Sequence, residues 1–152
     1  MLLILQDAER WPKPFQWFGA IPRPEIEDWL RRERLVLPPD LIEFWEITGG
    51  GDVFEETILR PTVRSVPNSG YVEDDIESAN AQHAAAGNPQ GLYIFMDGAF
   101  LCAVRLHDQE YVTLTRNYVV KNSFPSLDEW YISTLRAEFG ERYGLSCVST
   151  SR

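Results

Sequence analysis

Between residues 24 and 36, apolar Ile26, Trp29 and Leu30 return at helical spacing. Glu25, Glu27 and Asp28 come early and Arg31, Arg32 and Arg34 late, the charge order that suits a helix dipole. This pattern predicts a helix in which the i,i+4 pairs Glu27 with Arg31 and Asp28 with Arg32 give the arginines a structural role. Leu37-Pro38-Pro39-Asp40 ends it and starts another, with Leu41, Phe44, Trp45 and Ile47 expected inward until Gly49-Gly50-Gly51 stops the helix. Val53, Ile58 and Leu59 predict a strand over 53–59, interrupted by Glu55 and Glu56. Asp75 is positioned to cap an alanine-rich helix that runs to residue 86 and ends at Gly87-Asn88-Pro89.

Two apolar runs, 92–96 and 99–106, flank Asp97-Gly98, a pair suited to a two-residue type I′ turn, so a hairpin is expected. That turn sets Met96 opposite Ala99, Phe95 opposite Phe100, Ile94 opposite Leu101 and Tyr93 opposite Cys102. Both faces of the hairpin are then apolar and need cover. A second turn at 107–110 leads into a strand at 111–115. Ser126 and Glu129 form a capping box for a last helix that buries Leu127, Trp130, Tyr131, Leu135 and Phe139, with Gly140 and Gly144 near its end.

Ahead of Pro22, Trp11, Phe15, Trp17 and Phe18 crowd around Pro12 and Pro14, a pattern that reads as an extended arm rather than a helix. Such an arm is expected to cover one face of the hairpin. The chain thus divides into an aromatic arm over 1–21, one domain over 22–145 and a frayed tail over 146–152, with an irregular connection at 61–70. Helices flank the strand block instead of alternating with it, which points to an α+β fold: a mostly antiparallel sheet with helices packed against it.

Composition narrows the function. The 152 residues hold 14 bases and 23 acids, a net charge of −9, which disfavours direct binding to a phosphate backbone. Residues 21–80 carry 14 of the acids and 6 of the bases, a net −8, so one segment supplies nearly all of the field. No apolar run approaches the ~20 residues of a membrane helix, and Leu2 to Leu5 lacks the basic leader of a secretory signal. A cytoplasmic location away from any membrane is expected, with Cys102 and Cys147 as free thiols.

Motifs for chemistry are sparse. His83, Cys102, His107 and Cys147 show none of the CxxC, HExxH or HxH spacings that converge on a metal, so neither metal nor cofactor is expected. There is no GxSxG, and Gly49-Gly50-Gly51 follows a helix instead of a strand, so it terminates rather than cradles phosphate. With no acid paired to a base, the expectation is a binding protein without catalytic residues. The candidate contacts are the acids of the charged segment: Glu43, Glu46, Asp52, Glu55, Glu56, Glu73, Asp74 and Asp75. Each of these also has an ordinary reading as part of a solvated acidic face.

The order of Leu37-Pro38-Pro39-Asp40-Leu41, Phe44-Trp45, Gly49-Gly50-Gly51, then Gly91-Leu92-Tyr93-Ile94-Phe95, then Ser123-Phe124 ahead of a helix with Trp130, resembles the SUKH superfamily of Smi/Knr-type domains. The match spans about residues 26–139, most of the chain, through short and divergent pieces. The resemblance implies an α+β fold and no catalytic residues. Many bacterial members are immunity proteins that bind and block a toxin domain, and others are regulatory adaptors. It therefore implies a cognate toxin, or alternatively an adaptor without a toxin partner; the acidic segment suits a nuclease toxin, whose basic groove takes an acidic inhibitor as an imitation of phosphate. A small molecule held between sheet and helices is a third reading. Leu37, Pro38, Trp45 and Gly49 carry over as fold determinants only. The segments before Pro22 and at 61–70 match no pattern of the family, and the oligomeric state is left open.

Overall fold

Every strand pairs antiparallel with its successor, so chain order is also spatial order. In the computed structural model, which describes residues 1–63 and 75–145, the strands are β1 (Phe15–Trp17), β2 (Gly51–Val53), β3 (Glu56–Ile58), β4 (Leu92–Asp97), β5 (Leu101–Arg105), β6 (Glu110–Leu114) and β7 (Val120–Phe124). The helices are α1 (Leu3–Arg10), α2 (Arg23–Arg32), α3 (Pro39–Thr48), α4 (Ile76–Ala85), α5 (Leu127–Tyr131) and α6 (Ala137–Phe139), the last two joined by a π-helical turn at Ile132–Arg136. The fold is α+β with an antiparallel sheet, as the separation of helical and strand patterns implied. Among the described residues no helix is long and apolar enough to cross a membrane.

Both faces of the central hairpin are buried, each by different helices. Met96, Cys102, Val104 and Tyr111 share one face through the pairs Met96 with Cys102 and Val104 with Tyr111. Helices close it: Trp29 of α2 meets Tyr93 at 6.5 Å, and Trp130 of α5 meets Phe95 edge-on at 4.9 Å. Ile94, Leu101, Ala103, Val112 and Leu114 lie on the other face, which α4 crosses. Asn80 of α4 bonds both the N–H and the carbonyl of Ile94, and His83 reaches Asp97 and Tyr118.

Several expectations need correction. The first residues are not an extended arm: residues 3–10 form α1, because Pro12 and Pro14 act only after the helix has ended. Ile4 and Leu5 enter the core, the Leu3 N–H donates to Asp128 at 2.9 Å, and buried Asp7 accepts from the Tyr131 hydroxyl at 2.5 Å and Arg136 Nε at 2.6 Å. The aromatic residues that follow cover the helix side of the sheet, with Phe15 against Phe54 and Trp17 against Phe44, so α4 and not the arm closes the second hairpin face.

The segment 53–59 is a hairpin, not one strand. Val53 pairs with Glu56 across Phe54 and Glu55, both at positive φ (53° and 71°) as a type I′ connection requires. No Asn-Gly marks this turn; Phe54 is held there by burial against Phe15, Phe139 and Tyr143. The β4–β5 register also differs from the Asp97-Gly98 expectation. Asp97 pairs with Leu101, Met96 with Cys102, Ile94 with Ala103 and Tyr93 with Val104, with an irregularity between Ile94 and Met96. That bulge brings Phe95 to Trp130 and to Tyr111, while the Ala99 N–H donates to Glu56 and Arg116 donates to the Gly98 carbonyl, so tertiary bonds shape the turn.

On α3, Leu41, Phe44, Trp45 and Thr48 form the inward stripe and Ile47 lies outside it, 51% exposed. On α2, Arg31 pairs with Asp28 one turn back and Arg32 reaches the Thr62 carbonyl, in place of the two i,i+4 pairs. Strand β7 carries no apolar alternation of its own and exists through its pairing with β6. Gly49 ends α3 at φ +75°, where a Cβ would stand 2.0 Å from the Gly19 carbonyl oxygen; this close approach seats the β1 segment beside β2.

Candidate functional site

The candidate acids occupy different parts of the surface. Glu43 and Glu46 sit on α3, both half-buried, and Glu46 pairs with Arg23 at 3.2 Å. Asp52 lies on β2 and accepts from the Thr57 hydroxyl at 2.8 Å. Asp52 pairs with Gln16, whereas the flanking Trp17 contacts Phe44 of α3, so strand alternation sends Asp52 to the sheet face away from Glu43 and Glu46. Glu55 is exposed in the β2–β3 turn, and partial burial together with the Glu55 carboxylate holds the Tyr143 hydroxyl above its usual range. Glu56 accepts from the Ala99 N–H at 2.5 Å. Asp75 caps α4, accepting from Ser78 N–H at 3.2 Å and from the Thr62 hydroxyl at 2.5 Å. Glu73 and Asp74 lie outside the described residues.

These bonds sort the acids. Glu46, Glu56 and Asp75 hold an ion pair, a turn and a helix start, while Glu43 and Glu55 have no ion-pair partner among the described residues. The acids do not gather into one patch. Among the described residues no group of three or more His, Cys, Asp or Glu is arranged to hold a metal ion.

The titratable groups His83, Asp97 and Cys102 are tied into the fold. His83 Nδ1 lies 2.8 Å from the Tyr118 hydroxyl and Nε2 lies 2.7 Å from Asp97, which also takes a bond from Arg116 at 2.7 Å. Burial would raise the Asp97 carboxyl, but the bonds from Arg116 and His83 outweigh it and hold the group below the usual range. Cys102 is fully enclosed, and burial pushes its thiol up to about 12, so it remains protonated and unreactive.

One feature that the acidic pattern does not indicate is an apolar groove of about 290 Å³ between α1, β1 and α3, lined by Met1, Leu5, Ala8, Glu9, Trp17 and Ile47. Trp17 stands edge-on to Phe44 at 5.5 Å, which fixes its ring as a wall. The available signal was Ile47, an isoleucine off the buried stripe of α3; the other walls depend on α1 being a helix.

No protein-family model and no curated protein matches this chain.

Proposed function

We propose that the chain is a SUKH-type immunity protein that acts in the cytoplasm, binding a cognate toxin domain stoichiometrically and occluding its working surface. Two consecutive helices, a glycine stop, an antiparallel meander and a closing helix with Trp130 follow one another in the order that carries the resemblance. The observation that carries the reading is the surface charge: net −8 over residues 21–80, with Glu43 and Glu55 free of ion-pair partners among the described residues. Unpaired surface carboxylates steer a basic partner and reject acidic ones, the behaviour required of a decoy for a nuclease groove.

The test is growth rescue. A candidate toxin domain, sought among the neighbouring genes, is expressed with and without the chain, and the mixture is passed over a sizing column. Rescue together with a one-to-one complex supports the reading; rescue without a complex, or no rescue, overturns it. Reversing Glu43 and Glu55 together lowers affinity and its salt dependence, and Asp52, Glu56 and Asp75 are left intact because they bond within the fold.

A further inference from the structure

We propose that the groove between α1, β1 and α3 receives one amphipathic helix of the protein partner, whose apolar side chains enter the groove and whose lysines or arginines flank it. The proposal rests on the immunity reading for the partner's identity, and on the groove for its chemistry. At about 290 Å³ the groove falls just below the ~300–1,000 Å³ of pockets that enclose drug-sized molecules, and it is open between two helices, the setting of helix-in-groove recognition.

Charge selects the occupant. The elements forming the walls carry Asp7, Glu9, Asp40, Glu43 and Glu46 against a single base, Arg10. Arg10 lies over the Trp11 ring, and Asp7, Asp40 and Glu46 are bound to Arg136, Tyr111 and Arg23. Glu9 and Glu43 therefore remain as carboxylates without ion-pair partners among the described residues, Glu9 in the wall and Glu43 one helical turn before Ile47. An apolar slot with Glu9 in its wall, and with Glu43 one turn along α3 from the lining Ile47, matches leucine-like anchors flanked by cations, and it repels an acidic helix.

The probe is an amphipathic helical peptide of leucine and lysine, with a leucine and glutamate peptide as the contrast. Binding to the full chain is followed by NMR at the Trp17 indole and the Ala8 and Ile47 methyl groups. The lysine peptide shifts these resonances and the glutamate peptide does not. Ile47→Glu weakens binding about tenfold although it adds a negative charge, because it removes an anchor contact. Glu43→Gln weakens binding several-fold and flattens the salt dependence. Ile47 is exposed and Glu43 is half-buried, and a circular dichroism spectrum verifies folding of both variants. Affinity kept in Ile47→Glu, shifts spread away from the groove, or equal binding of both peptides overturns the proposal. A wild-type dimer that Ile47→Glu dissociates also overturns it, since the occupant is then a second copy. Growth rescue that survives Ile47→Glu removes the groove and leaves the immunity reading standing, whereas failure of the wild type to rescue removes that reading.

Discussion

Asp40 and Leu127 lie 87 residues apart in the chain, and the Leu127 N–H donates to Asp40 Oδ2 at 2.8 Å. The other carboxylate oxygen accepts the Tyr111 hydroxyl, so one side chain in the first turn of α3 ties together α3, β6 and α5. Burial, and then the Asp40 charge, hold the Tyr111 hydroxyl well above its usual range. Asp40→Ala strips a buried phenol and a helix N-terminus of their acceptor, and the expected loss is about 3 kcal/mol. Urea unfolding measures it; a change below about 1 kcal/mol would show that the carboxylate is dispensable.

The β2–β3 turn contains strain in an exposed position. Glu55 holds φ 71°, a conformation that costs an L-residue roughly 1 kcal/mol and glycine almost nothing. Glu55→Gly is expected to raise the unfolding free energy by up to about 1 kcal/mol, less whatever the Tyr143 contact contributes. Phe54→Ala at the adjacent position does the reverse, with a loss of about 3–5 kcal/mol, because it empties a buried aromatic cluster. Thermal melts of the two variants should therefore move in opposite directions.

Asn80 stands in for a missing strand. Where β3 ends, its amide donates to the Ile94 carbonyl and its carbonyl accepts the Ile94 N–H, each at 2.8 Å. Asn80→Ala leaves both groups of a fully buried residue unpaired, and a loss of about 2–3 kcal/mol is expected. Hydrogen exchange at the Ile94 amide gives the local readout, and protection equal to wild type would contradict the assignment.

Glu77 on α4 sets a pH dependence. Burial first, and then the facing Glu33 carboxyl, raise its pKa above 4.5. The folded state thus holds this proton more tightly than the unfolded chain does. Its contribution to stability is complete below 4.5 and is lost as pH rises through the folded pKa. Glu77→Gln should consequently be more stable than wild type at pH 7 and close to it near pH 4, as compared by melting at both pH values. A stability gain independent of pH would exclude titration of Glu77 as the cause.

How legible the molecule is from its residues varies with the range of the forces involved. The Asp75 cap, the proline starts and glycine stop around α3, and the Ser126 cap ahead of α5 are all readable, since each depends on residues within about one turn. Strand β7 is not readable: its outward residues Val120, Lys121, Asn122 and Ser123 are exposed, and only pairing with β6 makes it a strand. Among the candidate acids, composition reveals where negative charge is dense but not that Glu56 is taken up by Ala99 or Glu46 by Arg23. Those pairings join residues brought close only by the fold.

By itself the amino-acid order determined the α+β class, the ends of α3 and α4, and the acidity of residues 21–80, because helix caps, chain breakers and charge act over a few neighbouring positions; α2 stops at Arg32, short of the expected 36, where Arg34 turns to φ 52°. The tertiary structure alone decided the β4–β5 register, the helical state of residues 3–10 and the groove beneath Ile47. In each case the deciding contacts join residues well beyond a few neighbouring positions: Phe95 to Trp130, Asp7 to Arg136, and Trp17 to Phe44. Packing energy of that kind outweighs local turn and helix preferences that are worth about 1 kcal/mol per residue.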